Sequence, residues 1–215
     1  MSSESYRTIL FECCGEITEK KSRFIATLAP VGSEDEAIAF IANLKKKYWD
    51  ARHNCSAYII ASADENGMDI EKCSDDGEPS RTAGMPMLDI LKNENLKNVV
   101  VVVTRYFGGI LLGTGGLVRA YQAAVKAGIE AAETGITREL LRVKITTDYN
   151  GYGRLETVAA KENITVENTV FTDKVTCLLL CDDVQAESVS SKMTEATAGK
   201  CVIEKLDRVL RTVKL

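Results

Sequence analysis

A single histidine, His53, occurs in the 215 residues, and no C-x-x-C pair or H-E-x-x-H helix accompanies it. Structural zinc needs several nitrogen or thiolate ligands at short spacing, so the usual zinc modules are excluded. The seven cysteines, Cys13, Cys14, Cys55, Cys73, Cys177, Cys181 and Cys201, are odd in number and scattered. They are expected as reduced, packed thiols rather than a disulfide framework, with Cys177 and Cys181 on one strand face. No window approaches ~18 consecutive apolar residues, so no membrane span is expected. The start, Met1 to Arg7, lacks a basic segment followed by an apolar core, and the expected location is the cytoplasm. Positive charge is not in excess either. The net charge is −4, with 15 basic and 19 acidic residues up to Gly135 and 12 of each after it. That excludes a generally basic nucleic-acid-binding domain, though a local basic patch survives such averaging. A G-x-S-x-G elbow is absent as well.

What is present is 45% hydrophobic and 27% charged residues, the balance of a globular protein with material for a core. The length suits one large domain or two modest ones. The chain centres on Asn98 to Glu130. Asn98 to Thr104 is a β-branched run of strand length. Arg105-Tyr106-Phe107-Gly108-Gly109-Ile110-Leu111-Leu112-Gly113-Thr114-Gly115-Gly116 follows. Beyond it Leu117, Ala120, Tyr121, Ala124, Val125 and Gly128 recur at helical spacing. A strand, a five-glycine loop and a helix leave backbone N–H groups free at a partly positive helix start, suited to phosphate or carboxylate.

Before this centre, residues 16 to 28 read as one strand, and Ser33 with Glu36 as a capping box. The helix it opens carries Ala37, Ile38, Ile41, Leu44 and Tyr48 on one face, with Lys45, Lys46 and Lys47 near its end. Those lysines are either a solvated helix end or a nucleic-acid contact. Asn54 to Ala61 reads as a strand, Asp64-Glu65-Asn66-Gly67 as a turn, and Met68 to Cys73 as the returning strand. A polar loop from Ser74 leads to a helix at Met87 with Pro86 in its first turn. Glu133 to Thr137 marks a boundary between domains at 1–135 and 136–215. The second part cycles strand, helix, strand, strand, helix, strand, a split βαβ ferredoxin-like order. The fold class is therefore α+β in two domains.

The glycine loop is the leading candidate site. It lacks the Lys-Ser/Thr ending of a P-loop and does not match a dinucleotide fingerprint. Glycines for positive φ and close packing are the alternative reading, but five in nine residues beside Arg105 favour a site. Arg81 and Arg105 lie at the two most unusual loops, and arginine's fork suits phosphate or carboxylate. The alternative for each is an internal ion pair with Asp75, Asp76 or Glu78. Those three acids are also a candidate magnesium set, or only turn chemistry. His53, between Arg52 and Asn54, is expected in a capping or packing role.

Lys21-Ser22-Arg23-Phe24, Arg52-His53-Asn54-Cys55-Ser56-Ala57-Tyr58, Ser74-Asp75-Asp76-Gly77-Glu78-Pro79 with Thr82-Ala83-Gly84, and Thr104 to Gly109 through Gly113 to Tyr121 together resemble the YigZ/IMPACT family. The resemblance implies a first domain with the fold of a ribosomal protein's second domain, shared by elongation factor G and small-molecule kinases. It implies a second domain like the last of elongation factor G. Eukaryotic relatives are linked to translation control through competition for an activator of an initiation-factor kinase. They carry a further N-terminal partner-binding domain, and this chain is expected to be a stand-alone bacterial member.

The expected function is a non-enzymatic protein, without a cofactor, that binds RNA, the ribosome or translation factors, with a regulatory protein as a further partner. Arg105, Arg81 and Arg119 with Gly108, Gly109, Gly113, Thr114, Gly115 and Gly116 would grip phosphate. Tyr106 or Phe107 would stack a base. The alternative is an enzyme on a phosphorylated small molecule or nucleotide, with magnesium held by Asp75, Asp76 or Glu78.

Overall fold

In the computed structural model, which describes residues 5–62 and 67–214, the first elements are β1 (Tyr6–Ile9), β2 (Cys13–Glu19), β3 (Ser22–Pro30) and α1 (Glu34–Lys47). They are followed by β4 (His53–Ile60), β5 (Ile70–Ser74), α2 (Gly84–Asn93), β6 (Val99–Tyr106) and α3 (Thr114–Glu130). The turn expected over Asp64, Glu65 and Asn66 lies outside the described residues. The valine run is the middle strand of an antiparallel sheet ordered β2-β3-β6-β4-β5. Both of its faces are buried, which is why the run does not alternate in polarity. Val99, Val101 and Val103 pack with Phe24, Leu28, Ile59, Met87 and Tyr121 beneath α2 and α3. Val100 packs the other way with Ala29, Tyr58 and Ile60 against Ala37 of α1.

The reading of residues 16 to 28 as one strand is corrected. β2 and β3 form a hairpin whose register pairs Glu19 with Ser22 across Lys20 and Lys21. Both lysines take positive φ, 44° and 64°, as a two-residue turn of the right twist demands. No glycine or asparagine announced it. β1 was also unread; it pairs with the first residues of β7 (Thr134–Thr147), Tyr6 against Thr137.

Ser33 caps α1 by accepting from the Glu36 amide at 3.2 Å, while the Glu36 carboxylate reaches past Ser33 to the Gly32 amide. Of the face assigned to this helix, Ala37 and Leu44 are buried but Ile38 is 53% exposed. Lys45 is paired with Asp76 at 2.6 Å.

Among the described residues the chain divides into two units, one of residues 5–137 together with 212–214, the other Arg138–Arg211. Into the second fall the rest of β7, α4 (Tyr149–Lys161), β8 (Thr165–Phe171), β9 (Val175–Cys181), α5 (Asp183–Ala196) and most of β10 (Val202–Lys214). Its strand order is β10-β7-β9-β8, the antiparallel arrangement of a split βαβ fold. Val143, Ile145, Cys177, Leu179 and Cys181 line the sheet beneath Leu155, Val189 and Met193. Asp182 and Gln185 form a full capping box at α5. Among the described residues no helix is long and apolar enough to cross a membrane.

Candidate anion-binding site

β6 ends by delivering Arg105 onto the face that carries Phe24, and the chain then leaves the sheet through Phe107 to Gly113. Gly108 lies against the Lys21–Ser22 backbone so closely that a Cβ would overlap it, and its amide donates to Ser22 Oγ at 3.1 Å. Gly109 and Gly113 take φ of 84° and 73°, which favours glycine. Gly113 is the N-cap of α3, and no side chain caps that helix. The first amides of a 17-residue helix are thus left with their partial positive charge uncompensated.

Arg105 is 94% buried, its guanidinium 5.4 Å from the Phe24 ring centroid and 5.7 Å from that of Phe107. Its Nη1 donates to Glu78 Oε1 at 2.5 Å, a charge-assisted bond between two buried groups. Its Nε is buried with no partner. A buried donor without an acceptor costs about 1–3 kcal/mol, and the Nε of this guanidinium carries that cost. Tyr121 on α3 also donates to Glu78 Oε1 at 2.9 Å, and the Cys55 thiol donates to Tyr121 Oη at 3.3 Å. Burial pushes the Cys55 thiol up to about 12, which keeps it protonated and poorly nucleophilic. Burial, with Cys55 and Glu78 alongside, likewise raises the Tyr121 hydroxyl.

The loop from Ser74 to Ala83 holds Glu78 in place. Asp75 accepts from the amides of Arg81, Ala83 and Gly84 at 2.7–3.0 Å, capping α2 from outside the helix. Asp76 accepts from the Asn54 amide and from Lys45 Nζ. Burial works to raise the Asp76 carboxyl, but those two bonds outweigh it and hold the group below the usual range. The His53 ring meets the Asp76 carbonyl at 2.8 Å through Nδ1 and lies 3.9 Å from Glu78 Oε1 through Nε2.

These groups surround a cavity of about 440 Å³. Arg52, His53, Glu78, Arg105 and Thr114 supply its polar wall, and Pro79, Phe107, Leu111, Leu112 and Leu117 its apolar wall, with Gly77 and Gly113 between. Arg52 lies over the Phe107 ring at 5.8 Å. Of the residues singled out from sequence, Glu78, Arg105, Phe107, Gly113 and Thr114 meet here. Tyr106 does not. It falls on the opposite face of the strand, where its hydroxyl donates to Asp50 at 3.0 Å. Arg81 is exposed at a positive φ of 63°. Arg119 and Gly116 line a separate cavity of about 250 Å³ with Glu19 and Lys20. Asp75 and Asp76 are engaged with backbone amides, and among the described residues no cluster of three His, Cys, Asp or Glu side chains is arranged for a metal ion. Sequence reasoning left Arg52, His53 and Leu117 out of the site; the one available signal was that Arg52 and His53 open a motif rich in polar residues.

Residues 20–129 match the Impact N-terminal domain, and residues 145–200 match a domain of unknown function, DUF1949. The IMPACT family member YvyE of Bacillus subtilis (strain 168) is 41% identical over 93% of this chain and 90% of its own length. The IMPACT family member YigZ of Escherichia coli (strain K12) is 32% identical over 84% and 87%. The crystal structure of a hypothetical protein matches 95% of this chain and 98% of its own with a TM-score of 0.58 at 29% identity. With one domain model spanning half of the residues and relatives aligned along most of their length, this chain belongs to the IMPACT family.

Proposed function

We propose that the chain is a cytoplasmic, non-enzymatic protein of translation that binds RNA through the cavity at the start of α3. One observation carries this reading: Arg105, whose Nε is buried without a partner, lines the same cavity as Gly113 and Thr114 at the uncapped N-terminus of a long helix. Either feature alone has a structural explanation. Together they leave two unmatched sources of positive potential where a phosphate fits. Arg52 adds an exposed charge to the cavity wall, and Phe107, 40% exposed, adds an aromatic surface for a base. Membership of a family whose eukaryotic members are tied to translation control supports RNA as the source of that phosphate. Regulation through a protein partner is part of the same reading.

The test is binding of a labelled structured RNA at low and at physiological salt, for the native protein and for Thr114→Glu. Thr114 is exposed in the first helical turn, so a glutamate there suits the helix dipole while repelling an anion. Salt-sensitive binding that falls at least about tenfold in the variant is the expected result. Equal binding by both proteins removes the site, and no binding at low salt removes RNA.

The volume of the cavity favours a second reading, an enzyme acting on a phosphorylated small molecule, because about 300–1,000 Å³ is the usual size of a small-ligand pocket. A thermal-shift screen with magnesium nucleotides checks it, since a ligand at ~100 times its dissociation constant adds about 2.7 kcal/mol. No shift with any nucleotide counts against it.

A further inference from the structure

We infer that the cavity selects a terminal phosphomonoester, the phosphorylated end of a single strand or a mononucleotide, over the internal phosphodiesters of a strand or duplex. The inference rests on the phosphate-binding reading above and narrows it to one chemical class. It starts from depth. Arg105 is only 6% exposed and is pinned from behind, its Nη1 on Glu78 and Glu78 on Tyr121. A group that addresses it must come to the floor of the cavity. An internal phosphodiester carries a sugar on each side and would have to bring both into a space of about 440 Å³ already walled by Phe107, Leu112 and Leu117. A terminal phosphate enters end-on.

Charge points the same way. Arg52 and Arg105 line the cavity with a single carboxylate, Glu78, and the α3 start adds further positive potential. That excess suits a group of charge about −1.5 to −2 with three free oxygens better than a diester with one charge and two. The rim then serves the next unit: Phe107, with a guanidinium near its ring, offers an apolar ledge for the first base or its sugar.

Short single-stranded RNAs of one sequence, labelled internally and carrying a phosphate at the 5′ end, the 3′ end or neither, test this by fluorescence anisotropy. Nucleoside monophosphate is titrated separately by calorimetry. One phosphorylated form is expected to bind at least about tenfold tighter than the unphosphorylated strand, and Thr114→Glu to abolish that difference. Equal affinity of all three strands, each weakened by Thr114→Glu, overturns the inference and leaves the RNA reading standing. If no strand binds but the monophosphate does, sensitively to Thr114→Glu, the inference holds with a free nucleotide as source and the RNA reading falls. If neither binds, both fall. Arg105→Lys is a second variant that keeps the charge facing Glu78; it is expected to keep the fold and lose most of the preference for the phosphorylated end.

Discussion

Arg105 and Glu78 show why the obvious substitution would mislead. Arg105→Ala removes the cation from a carboxylate that is only 8% exposed. Breaking a buried pair on one side typically costs 3–5 kcal/mol, so the expected outcome is a large fall in stability by urea unfolding, whatever happens to binding. A loss under 1 kcal/mol would mean that water or Arg52 replaces the lost charge. The sequence offered Glu78 both as a partner for an arginine and as part of a metal set. What it lacked was the fold of the loop, in which Asp75 and Asp76 turn to backbone amides and leave Glu78 alone to face inward. Thiol chemistry follows from burial at the same scale. Cys14 and Cys73 are exposed, whereas Cys55, Cys177 and Cys181 are buried and burial raises each of the three thiols. Brief alkylation followed by mass spectrometry is expected to label Cys14 and Cys73 in the native protein, and the buried three only after unfolding.

Among the elements, those with a strong period were legible. The valine strand and α3 fell where pattern placed them, the strand because an unbroken β-branched run marks burial on both faces and the helix because its apolar residues recur on one face. The β2–β3 hairpin did not, because its turn is made by two lysines with no turn-forming chemistry. That mismatch is itself testable. Replacing Lys20 and Lys21 by Asn and Gly relieves two left-handed non-glycine residues, and about 1 kcal/mol of added stability in chemical denaturation is expected. No gain would show that the lysine side chains repay their backbone cost. The site was half legible for a similar reason. A glycine-rich helix start reads directly from sequence, but the sense of Tyr106, one residue from Arg105, depends on which face of β6 is turned toward the cavity. Only pairing with β3 and β4 decides that.

Across the whole molecule, acid is the condition that weakens it. Hydrogen bonds and charge from Arg23 hold Glu16 below the usual carboxylate range; those from Lys192 and Ser188 do so for Glu162, and those from Arg142 and Arg211 for Glu167. Burial raises Asp69, but Lys97 and the Ser62 amide more than reverse it. Each group therefore binds its proton less readily in the folded chain than in the unfolded one. The stabilisation is complete above the unfolded values near 4, and it is lost as the pH falls through the lower folded values. A melting temperature that is level from about pH 7 to 5 and declines steadily below about pH 4 is the expected profile in calorimetry. A rise in that range would mean that protonation relieves repulsion instead.

Gly15 of β2 and Gly128 of α3 lie so close to their neighbours that a Cβ on Gly15 would overlap the backbone between Ala127 and Gly128, and one on Gly128 would overlap Leu28. The Cys13 thiol meets the Gly128 carbonyl across 115 residues of chain. A contact so distant in sequence is entropically slow to make, and it is one of those that seat α3 on the sheet. The cavity at the other end of that helix is therefore expected to be completed late in folding. A ligand held there has nothing to grip on the way in, so it is expected to slow unfolding in stopped-flow experiments and leave the folding rate unchanged.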